Sequence, residues 1–323
     1  MSIIRPITTL SRLGARRIST PSPSSLVALD AWITAPKTLT MHDTLSPSKL
    51  ADLHITLPTR DGTHPNRPCA PPVPGAPLGY GHHLAFFHPR NPEAALRPDG
   101  TDSDFCPPHP FVRRMWAGGS MRWVDGHGLR VGEEVVARSE VTRVVKKGFG
   151  EDEGKGGPMV FVEQTIGYAA EGGEVGVVEG RSHVYLPLGQ PGGGAREPGK
   201  VEGLPATSDF SFTFTPTSTT LFRFSALTFN GHHIHLDREY AQKVEGYPER
   251  LVHGPLTALM LLETTQFYNP DAKFAHFEYR ARNPVVINSA LTIHGAWRSE
   301  SSVELWTVDE QGTIGMTGSI TCK

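Results

Sequence analysis

Cysteine is scarce in this chain of 323 residues: Cys69, Cys106 and Cys322 are odd in number, far apart and without CxxC spacing. Neither a disulfide framework nor a structural zinc site is suggested, and a reducing compartment suits them. An excess of charge of one sign is lacking too. With 31 Lys and Arg against 33 Asp and Glu the formal charge is −2, and no long basic stripe breaks the balance, so there is no electrostatic case for nucleic acid as a partner. No apolar run approaches the roughly 18–20 residues that a membrane span needs. The composition of a disordered chain is also missing. Hydrophobic residues reach 38% against 20% charged, in short runs separated by turn signals, which predicts a strand-rich fold of one large or two ordinary domains.

One absence is local. No acidic residue precedes Asp30, whereas Arg5, Arg12, Arg16 and Arg17 lie among several Ser and Thr. This composition predicts a mitochondrial transit peptide over residues 1–20 and a mature protein in the matrix. Its removal would take four arginines and leave a formal charge of −6. The plainer alternative is a basic tail.

Ser46 before Pro47, with Leu50 and Leu53 on one face, predicts a capped helix, and the proline-rich segment 58–77 predicts an extended loop. From residue 120 to 186 the apolar period becomes two. Segments 134–146, 159–170 and 181–186 read as strands of an antiparallel sheet separated by Gly/Glu/Lys turns. Residues 189–206 have linker composition. Beyond them, 210–214, 219–228, 274–282, 291–298, 303–308 and 314–321 read as strands, and 253–268 (HGPLTALMLLETTQFY) as a helix apolar almost all round. A long antiparallel sheet wrapped around one buried helix is the hot-dog architecture. The fold class expected is therefore α+β, a double hot dog: a degenerate first repeat over 40–188 without an equally apolar helix, the linker 189–206, and a second repeat over 207–323.

Reactive groups concentrate in residues 225–241 (SALTFNGHHIHLDREYA), followed by Val252-His253-Gly254-Pro255. This text resembles the motif of the MaoC-like hydratases, in which an aspartate precedes a histidine by five residues. Aligned on Ile234-His235, the resemblance implies His235 as the catalytic histidine and puts Asn230 at the aspartate position and His232 at an asparagine position. It extends to His83-Leu-Ala-Phe-Phe, Pro98-Asp-Gly and residues 113–119 (RRMWAGG), and is nearest to the type 2 hydroxyacyl-thioester dehydratases and the mesaconyl-CoA hydratases. It implies dehydration of (3R)-hydroxyacyl thioesters, on acyl carrier protein in mitochondrial fatty acid synthesis or on coenzyme A, with no metal and no cofactor beyond the substrate's pantetheine. Pairing of double hot dogs into a homodimer stays open.

The chemistry accounts for these residue types. Removing a weakly acidic proton beside a thioester carbonyl and expelling hydroxide needs a base, help for the leaving oxygen and donors for the enolate-like oxygen. His235 is suited to be the base. The amide of Gly254, at the start of the helix, is suited to hold the carbonyl oxygen. Asn230 departs from the family pattern: a carboxamide can orient water but cannot exchange its proton, which leaves both transfers to His235, with His232 as an alternative helper. Arg113 and Arg114 are candidates for the phosphate of a pantetheine arm, or plain surface charges. His253 reads as packing at the helix start, Asp237 as an N-cap of a short helix, and Trp116, Phe222 and Phe224 as core. Two rival classes remain. His233-Ile-His235-Leu-Asp237 spells a ligand pattern of zinc hydrolases, and Asn230 in place of aspartate also fits a non-catalytic acyl-binding module.

Overall fold

The computed structural model describes residues 21–65, 67–149, 157–187 and 199–323. The transit peptide predicted over 1–20 and the first part of the linker lie outside the described residues.

Ten strands form one antiparallel sheet: β1 (Thr38–Thr44), β2 (Phe111–Trp123), β3 (Glu134–Lys147), β4 (Met159–Ala170), β5 (Val175–Pro187), β6 (Phe210–Phe214), β7 (Phe274–Ala281), β8 (Leu291–Ser299), β9 (Ser302–Asp309) and β10 (Ile314–Cys322). Their spatial order is β1-β3-β4-β5-β2-β7-β10-β9-β8-β6. Read inward from either edge, each half runs first strand, third, fourth, fifth, second. The sheet thus consists of two copies of one topology, joined antiparallel where β2 meets β7: the double hot-dog fold. Alternation in sequence becomes alternation in burial. On β4, Val160, Val162, Gln164, Ile166 and Tyr168 point inward while the residues between them do not.

The joint between the halves explains part of the RRMWAGG run. Gly118 pairs with Arg280 and Gly119 with Tyr279. A side chain at Gly118 would stand 2.5 Å from the Tyr279 carbonyl oxygen, and one at Gly119 would stand 2.3 Å from that of Gly180. Glycine is needed for the backbones to approach this closely.

Helix α1 (Pro23–Thr34) packs Leu29 against Phe111, Val160, Val162 and Tyr185. The predicted helix after Ser46 is α2 (Pro47–His54), and the Ser46 hydroxyl accepts from the Lys49 amide as an N-cap should. The segment predicted as a strand over 219–228 is instead α3 (Ser218–Leu227). Its alternating Thr and Phe suggest period two, but Thr217 and Thr220 form a reciprocal capping box, and Leu221, Phe224, Ser225 and Leu227 then share the buried face. The helical period separates two phenylalanines expected together in the core: Phe224 is 1% exposed and Phe222 is 65% exposed. A four-residue turn of helix, α4 (His233–Leu236), follows.

Helix α5 (Gly254–Tyr268) is the predicted central helix, with every residue from Leu256 to Thr265 buried. Among the described residues no counterpart occupies the first half. There, among the described residues, segment 58–110 carries only short 3-10 turns at His82–Ala85 and Glu93–Ala95. It supplies the partners of one anomaly on α5, the buried carboxylate of Glu263. Arg60 Nη2 donates to Glu263 Oε1 at 3.0 Å, Thr59 Oγ1 donates to Oε2 at 3.1 Å, and His82 Nε2 lies 2.8 Å from Oε1. Burial works to raise this pKa, but the Arg60 charge and the His82 hydrogen bond override it and hold the carboxyl well below its usual range. Arg60→Met would leave the carboxylate enclosed without its guanidinium. The expected loss is about 3 kcal/mol of stability, below the full value for a buried pair because Arg60 is partly exposed, measurable as a lower midpoint of urea unfolding.

Candidate active site

A cavity of about 380 Å3 opens where α5 begins. Its walls come from both halves: β2 and β5 contribute Arg114, Trp116 and His183, and the second half contributes Asn230, His232, His235 and Gly254. The 230–233 turn is seated by the first half as well. The His233 amide donates to the Asp99 carbonyl at 2.9 Å, and Gly100 packs so closely on Gly231 that a side chain there would meet its carbonyl oxygen at 2.2 Å.

His235 sits on α4. Its Nδ1 lies 2.8 Å from the Leu251 carbonyl oxygen. A carbonyl only accepts, so Nδ1 carries the proton and Nε2 keeps its lone pair. The ring stacks on His253 with centroids 3.7 Å apart, and His253 Nε2 is 2.9 Å from the Ser225 hydroxyl. Burial pushes the His235 pKa down to about 4, the Leu251 hydrogen bond opposing and the Arg114 charge adding to the shift. Burial likewise lowers His183, His232 and His253 well below the ordinary imidazole value. At neutral pH these histidines are neutral.

Asn230 serves the turn first. Its amide donates to the Ser225 carbonyl at 2.8 Å and its Oδ1 accepts from the His232 amide at 3.0 Å. Its Nδ2 has no partner among the described residues, so what Asn230 offers the cavity is a donor. Gly254 is the first residue of α5 and lines the cavity, where its amide is one of those that no helical carbonyl can satisfy. Trp116 lies against it: a side chain at Gly254 would come within 2.9 Å of the indole Cγ.

The two arginines separate. On a strand, adjacent side chains take opposite faces. Arg113 is buried away from the cavity with its Nε donating to Glu245 at 2.7 Å, which replaces the phosphate-binding role considered for it. Arg114 faces the cavity. Trp116, expected as core, lines the cavity too. Among the lining residues that escaped the reading of the sequence are His183, Arg280 and Arg282. A histidine within the apolar strand 181–186, and arginines at a strand's end, were the available signals. Asp99, in the Pro98-Asp-Gly stretch, is not part of the lining, and its Oδ2 stands 3.9 Å from His232 Nε2. The zinc pattern fails on geometry. The His233 ring packs on Tyr240, Asp237 Oδ1 accepts from the Tyr240 amide at 3.0 Å, and no three His, Cys, Asp or Glu side chains converge among the described residues.

Among solved structures, a MaoC-like dehydratase from Phytophthora capsici superposes with a TM-score of 0.60 at 14% identity, over 91% of this chain and 98% of that one. The architecture is that of the MaoC-like double hot dogs. A family model described as hydroxyacyl-thioester dehydratase type 2 matches residues 81–287, and the chain belongs to that family of hydro-lyases. Two relatives agree with this. Mesaconyl-C(4)-CoA hydratase of Chloroflexus aurantiacus is 36% identical over 68% of this chain and 74% of its own. The mitochondrial hydroxyacyl-thioester dehydratase type 2 of Schizosaccharomyces pombe is 30% identical over 66% and 76%.

Two expectations follow. Gly254→Ala forces a methyl onto Trp116 beside the free amide, and kcat should fall by about 100-fold, as on loss of one oxyanion donor, in a steady-state hydration assay. Lowered histidine pKa values mean that the unfolded chain binds more protons than the folded one as pH falls below about 6.5. Stability should therefore be level above pH 7 and decline from there toward pH 4, by on the order of 2 kcal/mol at pH 5 for each histidine held neutral, in urea unfolding at a series of pH values.

Proposed function

We propose that the protein interconverts 2-enoyl and 3-hydroxyacyl thioesters, with His235 as the single acid and base. The observation that carries the reading is the His235 tautomer, which turns a lone pair toward the same cavity that the Gly254 amide lines. In hydration, Nε2 takes a proton from water as its oxygen adds to C3, and the Gly254 amide holds the thioester oxygen as it becomes enolate-like. The imidazolium then gives that proton to C2 on the same face. Dehydration is the reverse. A low pKa makes the imidazolium a strong acid for protonating carbon, and keeps the base form populated throughout the neutral range. Asn230 Nδ2 donates to the oxygen that arrives or leaves in this reading, which its lack of a partner among the described residues supports.

Two settings compete for the physiological substrate. Mitochondrial fatty acid synthesis on acyl carrier protein, in the matrix, is supported by the mitochondrial yeast relative and by the arginines before residue 20. A short branched or dicarboxylic acyl-coenzyme A is supported by the mesaconyl-C(4)-CoA hydratase relative and by the cavity, which is near the small end of the roughly 300–1,000 Å3 usual for ligand pockets. The cavity favours the second. Exposed Arg280 and Arg282 at its edge suit the phosphates of the carrier in either case.

The test is the loss of enoyl-thioester absorbance when the full chain meets crotonyl-coenzyme A, with His235→Ala alongside. The wild type should hydrate it and the variant should lose about 100- to 10,000-fold in kcat/KM. A folded wild type inert toward coenzyme A and carrier-protein substrates alike would sink the proposal in favour of a non-catalytic acyl-binding module.

A further inference from the structure

The walls of the cavity carry charge of one sign. Arg114, Arg280 and Arg282 line it, no Asp or Glu does among the described residues, and its histidines are neutral. Arg280 and Arg282 are exposed, but Arg114 sits on β2 among the cavity's inner residues, half-buried. Two neighbours of the same type find carboxylates at hydrogen-bonding distance: Arg113 has Glu245 at 2.7 Å and Arg181 has Glu179 at 2.6 Å. Arg114 has no hydrogen bond and no ion pair among the described residues; Asp99 and Asp102 act on it only through space. A half-buried guanidinium that lines a cavity, with no carboxylate within hydrogen-bonding distance, leaves its donors open to an anion that enters there. Its field also reaches the reacting base, for Arg114 is among the charges that act on His235.

We infer that Arg114 is a specificity-determining residue that pairs with a carboxylate on the acyl group, so that the preferred substrates are thioesters of short dicarboxylic acids. The inference rests on the thioester reading above and names the substrate class of that same site. Asn230 fits it independently. A carboxylate at position 230, which the family motif implies, would set a fixed negative charge in the cavity against the substrate's own. The carboxamide keeps the Oδ1 bond that shapes the turn and removes the repulsion.

The test uses saturated thioesters that cannot react. Succinyl-coenzyme A and butyryl-coenzyme A match in chain length and differ by a carboxylate in place of a methyl, and their affinities for the full chain are measured by calorimetry. Succinyl-coenzyme A should bind about 10- to 100-fold more tightly, the range of a charge-assisted hydrogen-bonded pair. In Arg114→Met, with folding checked by circular dichroism, the ratio of the two affinities should collapse to near one, and in Arg114→Lys it should be intermediate. Equal binding by the wild type, tighter binding of butyryl-coenzyme A, or a ratio unmoved in Arg114→Met overturns the inference. Equal losses on both ligands do so too, since they assign Arg114 to the shared thioester. If the wild type prefers succinyl-coenzyme A yet hydrates no enoyl thioester, the hydratase reading fails and the carboxylate site stands. Hydration of crotonyl-coenzyme A without the preference has the opposite meaning, and binding of neither ligand overturns both.

Discussion

A helix with no face left for water has to be enclosed, and enclosing α5 dictates where the remaining elements sit. Its residues 256–265 are all buried, so the sheet of the second half must curve over it and the first half must close the open side. Leu256, Leu259, Leu261 and Leu262 alone each contribute about 1.5–3 kcal/mol by leaving water. Enclosure also creates two polar obligations. The Glu263 carboxylate in the middle of the helix must be matched, which Arg60, Thr59 and His82 do from the opposite half. The free amides at the helix start must face something polar, and what they face is the cavity.

As the base proposed above, His235 would owe its character to the same enclosure. Its environment removes solvent, fixes the tautomer through Leu251 and sets an aromatic ring flat beneath it, so the imidazole is rigid as well as neutral. A rigid neutral base next to helix amides needs little rearrangement when charge develops on a substrate. The cost appears elsewhere, in histidines that take up protons less readily in the folded chain than in the unfolded one.

Much of this was legible in the sequence because the strongest signals are local. The apolar run of α5 is too long for a strand, the period-two segments became strands within a residue or two at most ends, and residues 225–241 could be singled out by the density of reactive side chains. Other features depended on contacts across the chain. The Thr and Phe alternation of α3 cannot be told from a strand until the Thr217 cap and the buried face are seen. Strand β2 was missed because Gly118 and Gly119 blunt its pattern, for a reason that lies in the backbone of β7 and β5. Arg113 and Arg114 are indistinguishable as a pair of letters. Once they are placed on a strand, one must face Glu245 and the other the cavity. His183, Arg280 and Arg282 came to the site only through folding, from positions far from the motif.

The repeated topology about the β2–β7 joint has a bearing on how such a chain can change. In an assembly of two identical single repeats every position is present twice, and a substitution that improves one cavity is imposed on its mate, with whatever harm it does there. Here the two repeats are separately encoded. An arginine on β2, a carboxamide at 230 and a glycine opening α5 each occur once, so they can be altered one at a time. The first half, released from making a central helix, is free to specialise as a wall. Asymmetry of this kind gives a single chain access to pockets that a symmetric pair of chains cannot build.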